Sequence, residues 1–204
     1  MGTKVVGKLN DWEDGDCGGG DFMKLTEGSN IVRIVTKPYQ FYSHYTADQS
    51  GASRNIRCAL KDCPVCQKGE KASPRWFVGV IDRETGYPAI LEISMQVFQG
   101  ILVLKKKKSW GDPRAYDIDI LRKKAGSQPL YVVTPEEKSP ITDGEKTAIK
   151  DLLSKIDLAK ISAAPTPDEV KKQLGIATEK TATVEDSTGS DDELGLDDDD
   201  FDFE

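Results

Sequence analysis

The chain has 204 residues, of which 37% are hydrophobic and 31% are charged, and its formal net charge is −7. This length provides one moderate domain with appendages, and the hydrophobic fraction is sufficient for a core. No apolar run approaches the ~20 residues of a membrane span, and the first residues lack a signal-peptide or myristoylation pattern, so we expect a cytosolic protein with reduced thiols.

The charge is distributed unevenly along the chain. Residues 179–204 contain twelve acidic residues and one lysine, a net charge of −11, which leaves +4 for the remaining residues. Basic residues are concentrated in residues 22–124, where 18 Lys or Arg accompany 10 Asp or Glu. A basic body attracts a polyanion, and an acidic tail can compete with that polyanion or bind another partner.

Residues 1–21 are interpreted as a flexible acidic arm. Four acidic side chains surround Trp12, and three consecutive glycines follow Cys17. This composition disfavours regular secondary structure. Cys17 is the one cysteine distant from the others, and it is interpreted as a free thiol rather than a metal ligand.

Residues 22–135 carry the signals of short strands joined by turns. Strands are predicted over 31–35, 39–45, 75–82, 87–93, 116–121 and 130–134. Residues 83–86 predict a hairpin turn, in which Gly86 supplies the positive φ. Residues 94–104 fit a helix, although 101–104 alone also fit a strand.

About five strands with one intervening helix are the elements of an oligonucleotide-binding (OB) barrel, which holds single strands across its open face. We therefore predict a mainly β (α+β) protein whose residues 22–135 form a five-stranded OB core.

Residues 44–66 contain the only histidine of the chain and three of its four cysteines. Cys63 and Cys66 have a spacing that lets two sulfurs face one ion, and Cys58 and His44 complete a Cys3His set, which is typical of structural zinc sites. A thioredoxin-like redox motif is the rival interpretation of Cys63 and Cys66, but it needs a βαβ context that is not predicted. We expect one structural Zn²⁺ in a subdomain at about 44–70, inserted between the second and third strands.

Residues beyond Pro135 have helical character. Thr142 and Glu145 match a capping box, and a second helix is expected to start at Thr166 and to stop at Gly175. Residues 136–176 are therefore predicted to form a helical extension.

Residues 177–204 are rich in Thr, Ser, Gly and acidic residues and are predicted to be a disordered tail. A solubilising role is one interpretation of its charge. The two phenylalanines at the end favour a peptide that docks on a basic, hydrophobic pocket of a partner. This peptide comprises Asp197, Asp198, Asp199, Asp200, Phe201, Asp202 and Phe203.

Binding of single strands requires cations along a groove for phosphates and aromatic rings on which bases stack. The candidate cations are Arg33, Lys37, Arg54, Arg57, Arg75, Lys105, Lys106, Lys107 and Lys108. The candidate rings are Tyr39, Tyr42, Tyr45, Trp76 and Trp110. Burial in the core is the alternative for each ring, and a solvated loop is the alternative for the four lysines.

The succession of His44, Cys58 and the Cys-Pro-Val-Cys-Gln segment from Cys63, inside a basic, tyrosine-rich strand domain followed by an acidic tail, resembles the single-stranded DNA-binding (helix-destabilising) proteins of T-even-like phages. The resemblance covers about 28–135 and the tail. It implies an OB barrel with a zinc subdomain whose ligands are His44, Cys58, Cys63 and Cys66. The family's N-terminal arm is basic, whereas the arm of this chain is acidic.

The resemblance also implies the cellular role. We expect a protein in the cytoplasm of the infected bacterial host that coats and protects single-stranded DNA and destabilises secondary structure during replication, recombination and repair. Its tail would recruit a polymerase, helicase loader or recombinase, and it could self-associate on DNA.

Catalysis has little support in the sequence, because the chain has no second histidine, no Walker sequence and no Gly-x-Gly-x-x-Gly stretch. We therefore expect a protein that is not an enzyme. The alternative function is a zinc-ribbon adaptor or transcription factor that acts through protein or duplex DNA contacts.

Overall fold

A computed structural model of the chain describes residues 22–126 and 128–176. It is mainly β, with a curled mixed sheet that forms a half-barrel and a few helices. The strands are β1 (Phe22–Met23), β2 (Ile31–Ile34), β3 (Tyr39–Ala47), β4 (Ser53–Arg57), β5 (Ser73–Asp82), β6 (Pro88–Ser94), β7 (Ile118–Ala125) and β8 (Gln128–Pro135). The helices are α1 (Pro64–Gln67), α2 (Met95–Lys106), α3 (Asp143–Lys155), α4 (Leu158–Ser162) and α5 (Pro167–Gln173), and a 3₁₀ turn spans Pro113–Ala115.

The sheet has the order β1-β6-β5-β2-β7-β8, and β3 lies between β5 and β4. Only β1 pairs in parallel, with β6; the other pairs are antiparallel. β2 pairs with the C-terminal part of β5, and β3 pairs with its N-terminal part. The predicted strands correspond to β2, β3, β5, β6, β7 and β8, whereas β1 and β4 were not predicted.

The inner face of the curled sheet holds the main hydrophobic core, and α2 packs against it. The Oγ of Ser94 accepts a 3.5 Å hydrogen bond from the N–H of Val97, so Ser94 caps the start of α2. Val97, Ile101 and Leu104 are the buried residues of α2, at helical spacing. The segment that fitted either a helix or a strand is therefore a helix.

The helical extension covers the outer face of β3, β5 and β6. Ile156, Leu158 and Ile161 pack in one cluster with Phe41 and Phe77, whose rings stack with centroids 4.3 Å apart. β5 is thus covered on both faces, by the main core on one side and by α3 and α4 on the other. This arrangement explains why seven consecutive residues of β5 are buried.

The capping box predicted at Thr142 with Glu145 is present, and a second one, which was not predicted, joins Thr166 to Glu169. The second predicted helix corresponds to α5, and α4 was not predicted. Among the described residues, none of the helices has the length and hydropathy needed to cross a membrane.

Candidate metal centre and nucleic-acid interface

Three adjacent elements position the four predicted metal ligands. His44 lies on β3 opposite Ile56 of β4, and Cys58 follows the last residue of β4 directly. Cys63 is the N-cap of α1, and Cys66 lies in that helix. The hairpin of β3 and β4 therefore brings His44 and Cys58 to the short helix that carries the other two cysteines.

The donor atoms of these ligands all lie within 4.8 Å of one another. The Nε2 of His44 is 3.6 Å from the Sγ of Cys63 and 3.5 Å from the Sγ of Cys66. The Sγ atoms of Cys58 and Cys66 are 3.6 Å apart, and these three described cysteines form no disulfide. Donors at about 2.0–2.3 Å from the centre of a tetrahedron are about 3.5–3.8 Å apart, so this spacing fits one four-coordinate metal ion.

The main chain between Cys58 and Cys63 forms a tight turn next to the cysteine sulfurs. Leu60 and Asp62 have φ values of 61° and 54°, a region that residues other than glycine rarely adopt. This turn lets the N–H of Leu60 donate a 3.3 Å hydrogen bond to the Sγ of Cys58. A backbone that accepts such conformations around a thiol is consistent with a site that binds a ligand.

The pKa values of the donors follow from burial and from nearby main-chain dipoles. Burial raises the pKa of the Cys58 thiol to about 12. Burial acts in the same direction on Cys63, but hydrogen bonds from the main chain of Cys66, Ala59 and Val65 outweigh it and lower its pKa. Burial lowers the pKa of His44 and outweighs the charge of Glu70 and a main-chain hydrogen bond at Lys71, which both act to raise it. The imidazole is therefore neutral at pH 7 and offers a lone pair.

The helix α5 packs beside the metal cluster and against β4 of the hairpin. Val170 and Leu174 are buried in one cluster with Cys58, Cys63 and Val65. At the tip of the hairpin, the N–H of Gln49 donates a 3.1 Å hydrogen bond to the carbonyl of Leu174. The last helix of the described chain is thus part of the hydrophobic core around the ligands.

Several of the predicted nucleic-acid contacts are exposed on or next to the hairpin of β3 and β4. Tyr45 is 73% exposed and Tyr42 is 36% exposed. Arg54 is exposed and forms a 2.7 Å ion pair with Asp48. The Nζ of Lys37 lies 5.5 Å from the centroid of the Tyr39 ring, a cation–π distance. Tyr42 lies on the face of β3 that carries His44, whereas Tyr45 lies on the opposite face, so the hairpin presents exposed rings on both of its faces.

The lysine run lies elsewhere, at the C-terminal end of α2. Lys105 and Lys106 belong to the last turn of that helix rather than to a loop, and Lys107 and Lys108 follow it. All four are exposed. Their charges lie at the negative end of the helix dipole, which they complement.

Three further predicted contacts are engaged within the protein. The guanidinium of Arg57 donates hydrogen bonds to the carbonyls of Ile161 and, at 3.4 Å, Ala163. Arg75 lies 3.8 Å from a carboxylate oxygen of Glu92 and is one-third exposed. Trp110 is half-buried and packs against the ring of Tyr116, with centroids 5.1 Å apart.

Two predicted contacts are corrected, because their side chains are buried. Arg33 is 1% exposed, and its Nε donates a 2.6 Å hydrogen bond to Asp117. Trp76 is 5% exposed and stacks on Phe98 with centroids 3.9 Å apart. Arg33 forms a buried ion pair, and Trp76 is part of the hydrophobic core. Neither side chain is therefore available to contact a nucleic acid.

The predicted docking peptide, residues 197–203, and Cys17 lie outside the described residues. The exposed lysines Lys61, Lys68 and Lys71 of the metal subdomain and Lys123 and Lys124 near the end of β7 were not predicted as contacts. The local excess of basic charge is the one sequence feature that could have marked these lysines as candidate contacts. The spacing of Val170 and Leu174 places them on one face of a helix. This apolar face could have been used to predict that the helix packs against another part of the protein, which is the metal cluster.

Comparisons of this chain with protein-family models, with curated proteins and with solved structures found no match. The site must therefore be interpreted from its own geometry.

Proposed function

We propose that this protein binds single-stranded DNA without sequence preference and is not an enzyme. The observation that carries this proposal is the β3–β4 hairpin, which exposes Tyr42 on the face of His44, Tyr45 on its other face, and the guanidinium of Arg54. Stacking on aromatic rings is tolerant of sequence because every base has a π face, and cations along the same surface bind phosphates.

The topology supports an OB barrel. If β2 and β3 together count as the first strand, then β5, β6, β7 and β8 are the second to fifth, and α2 connects the third to the fourth. The five strands then have the order 3-2-1-4-5 in the sheet, with the metal subdomain in the connection between the first and second. OB folds bind oligonucleotides across the surface near this connection.

The donor set supports zinc as the metal. Three thiolates and one imidazole suit Zn²⁺ better than Mg²⁺ or Ca²⁺, which take oxygen ligands. Four protein ligands leave no position for an activated water, so the role of the ion is structural. It would hold the strand that carries Tyr42 and the turn at Leu60 in a fixed arrangement.

The cellular role that we propose follows the resemblance to phage helix-destabilising proteins. The protein would coat and protect single strands in replication, recombination and repair, and it would remove hairpins by mass action, because a ligand selective for the unpaired form shifts the duplex equilibrium without fuel. The acidic tail would recruit replication and recombination proteins in the host cytoplasm.

A titration at several salt concentrations tests this function. The zinc-loaded full-length protein is titrated with an unstructured oligo-dT and with a duplex of equal length. We expect tighter binding to the oligo-dT and a negative slope of log affinity against log salt, because phosphate contacts release counterions. Duplex binding of equal or greater affinity would refute the proposal and would favour a zinc-ribbon adaptor or transcription factor.

A further inference from the structure

We propose that a pocket beside the metal cluster takes a single pyrimidine base of the bound strand. This inference rests on the proposed function and deepens it, since it adds a modest preference for a pyrimidine at one position of a strand that is otherwise bound without regard to sequence. The pocket lies at the edge of β3, between the turn after Cys58 and the segment that joins α4 to α5. Its lining includes Gln40, Tyr42, Leu60, Ala164 and Pro165.

The pocket exists because β4 is shorter than β3. β4 pairs with β3 only over residues 43–47, and Cys58 then donates one more hydrogen bond, from its N–H to the carbonyl of Tyr42 at 2.8 Å. Beyond this point the chain turns away at Leu60. The edge of β3 is left to the segment from Ser162 to Pro165, which lines the other side of the pocket.

The edge of β3 offers a hydrogen-bond donor and acceptor at the pocket. In an antiparallel pair, the main-chain groups of alternate residues point to the same side of a strand. The carbonyl of Tyr42 points toward β4, so the N–H and C=O of Gln40, two residues earlier, point to that side as well. This adjacent donor and acceptor matches the imide or amide edge of a pyrimidine.

The walls suit a flat ring. Leu60 is 59% exposed, and Tyr42 stands opposite the segment that carries Ala164 and Pro165. The side chain of Gln40 donates a 3.3 Å hydrogen bond from Nε2 to the hydroxyl of Tyr42, which steadies that ring. Apolar walls with few polar groups are the usual composition of small-molecule pockets.

The volume favours one six-membered ring. The cavity measures about 120 Å³, close to an engineered protein cavity of about 150 Å³ that holds benzene. One six-membered ring fills most of this space, whereas the second ring of a purine would extend beyond it, so a pyrimidine is the better match.

The charge of the lining suits a strand that carries negative charge. Among the described residues, those that line the pocket include Arg57 and neither Asp nor Glu. Arg57 already donates to the carbonyls of Ile161 and Ala163. The pocket itself therefore takes an uncharged ring, while exposed Lys61, next to Leu60, is placed for a phosphate of the same strand.

Two measurements test this inference on the full-length, zinc-loaded protein. In the first, the main-chain amides of Gln40 and Ala164 are followed by NMR during titration with thymidine 5′-monophosphate, deoxyadenosine 5′-monophosphate or deoxyribose 5-phosphate. We expect both amides to shift with the thymidine nucleotide, to shift several-fold less at equal concentration with the adenine nucleotide, and to remain in place with the sugar phosphate.

In the second, the Kd for an eight-residue oligo-dT is compared between Ala164→Leu, which fills the pocket, and Ala159→Leu, an equal change at an exposed position of α4 outside it. We expect the first variant to weaken binding at least about fivefold, the loss of one stacked base, and the second to change it less than about twofold.

The outcomes separate the pocket from the proposed function. If the oligo-dT binds while neither amide shifts and both variants bind equally, the pocket assignment is overturned and single-strand binding stands. If the oligo-dT does not bind, the proposed function fails, and the nucleotide titration alone then decides the pocket. A shift produced by a peptide of residues 197–204 and by no nucleotide would assign the pocket to an aromatic side chain and overturn the inference.

Discussion

The guanidinium of Arg57, at the end of β4, donates a hydrogen bond to the main-chain carbonyl of Ile161 in α4. This bond links the strand that leads into the predicted metal ligand Cys58 to the helical extension. The helix α5 also supplies Val170 and Leu174 to the core around the ligands. The metal subdomain and the extension therefore support each other, although about 100 residues separate them in sequence.

The metal cluster gives the first prediction. Cys63→Ser should lose the bound zinc and weaken oligo-dT binding by about 1–3 kcal/mol, because the wall that carries Tyr42 loosens. The half-barrel should remain folded, since its main core contains none of the four ligands. Elemental analysis, far-UV circular dichroism and binding titrations measure the three effects.

Cys17→Ser is the matched control for that variant, because we predict Cys17 to be a free thiol, and it should retain one zinc per chain. Wild-type protein that contains no zinc after gentle purification, and that melts at the same temperature with and without chelator, would contradict a structural zinc site.

The surface of the β3–β4 hairpin gives the second prediction. Tyr45→Ala should weaken oligo-dT binding by about 1–3 kcal/mol through the loss of base stacking. The melting temperature should change little, because the ring is 73% exposed. Tyr87→Ala removes an equally exposed ring, 71%, at the β5–β6 turn, and it should leave the affinity unchanged. Equal losses in the two variants would remove the hairpin from the binding surface.

The buried ion pair of Arg33 and Asp117 gives the third prediction. Asp117→Asn should destabilise the fold by about 3–5 kcal/mol, because it leaves the charge of buried Arg33, and that of Arg83, without the carboxylate that they share. Asp112→Asn removes the same charge from a half-exposed pair with Arg114, and it should cost less than about 1 kcal/mol. Chemical denaturation measures both free energies of unfolding, and similar costs would show that the burial of Arg33 is unimportant.

The contact between α2 and β8 gives the fourth prediction. A Cβ on Gly100 would lie 2.7 Å from Cγ2 of Val133, which is too close for carbon atoms. Gly100→Ala should therefore destabilise the protein by about 1–3 kcal/mol. Gly144→Ala in α3 meets nothing within 4 Å and should stabilise by about 0.4–1 kcal/mol. Thermal melts that rank the two variants in the opposite order would contradict this packing.

Local patterns in the sequence were sufficient for features whose causes are local. Thr142 forms the predicted capping box, because the bonds join residues three positions apart, and a helix starts after Thr166 as predicted. The spacing of Cys58, Cys63 and Cys66 identified ligands that do come together, since a tight turn and one helical turn fix their distances.

Features that depend on distant segments were not predictable in this way. Arg33 alternates with the core residues Val32 and Ile34, and this pattern predicts that its side chain is on the surface. In the structure it is buried, because it pairs with Asp117, which lies 84 positions away in the sequence. Trp76 was assigned to the surface because nothing in its own strand indicates that Phe98 of α2 stacks on it. The strand β4 is largely polar and was missed, since its pairing with β3 is its main support.

The melting of a DNA hairpin tests the central claim of single-strand binding most directly. A short hairpin with a fluorophore and a quencher at its ends is heated with and without the zinc-loaded protein at moderate salt. Selective binding to unpaired DNA predicts a melting temperature that falls as the protein concentration rises. A melting temperature that is unchanged, or that rises because the protein prefers the duplex stem, would contradict the account.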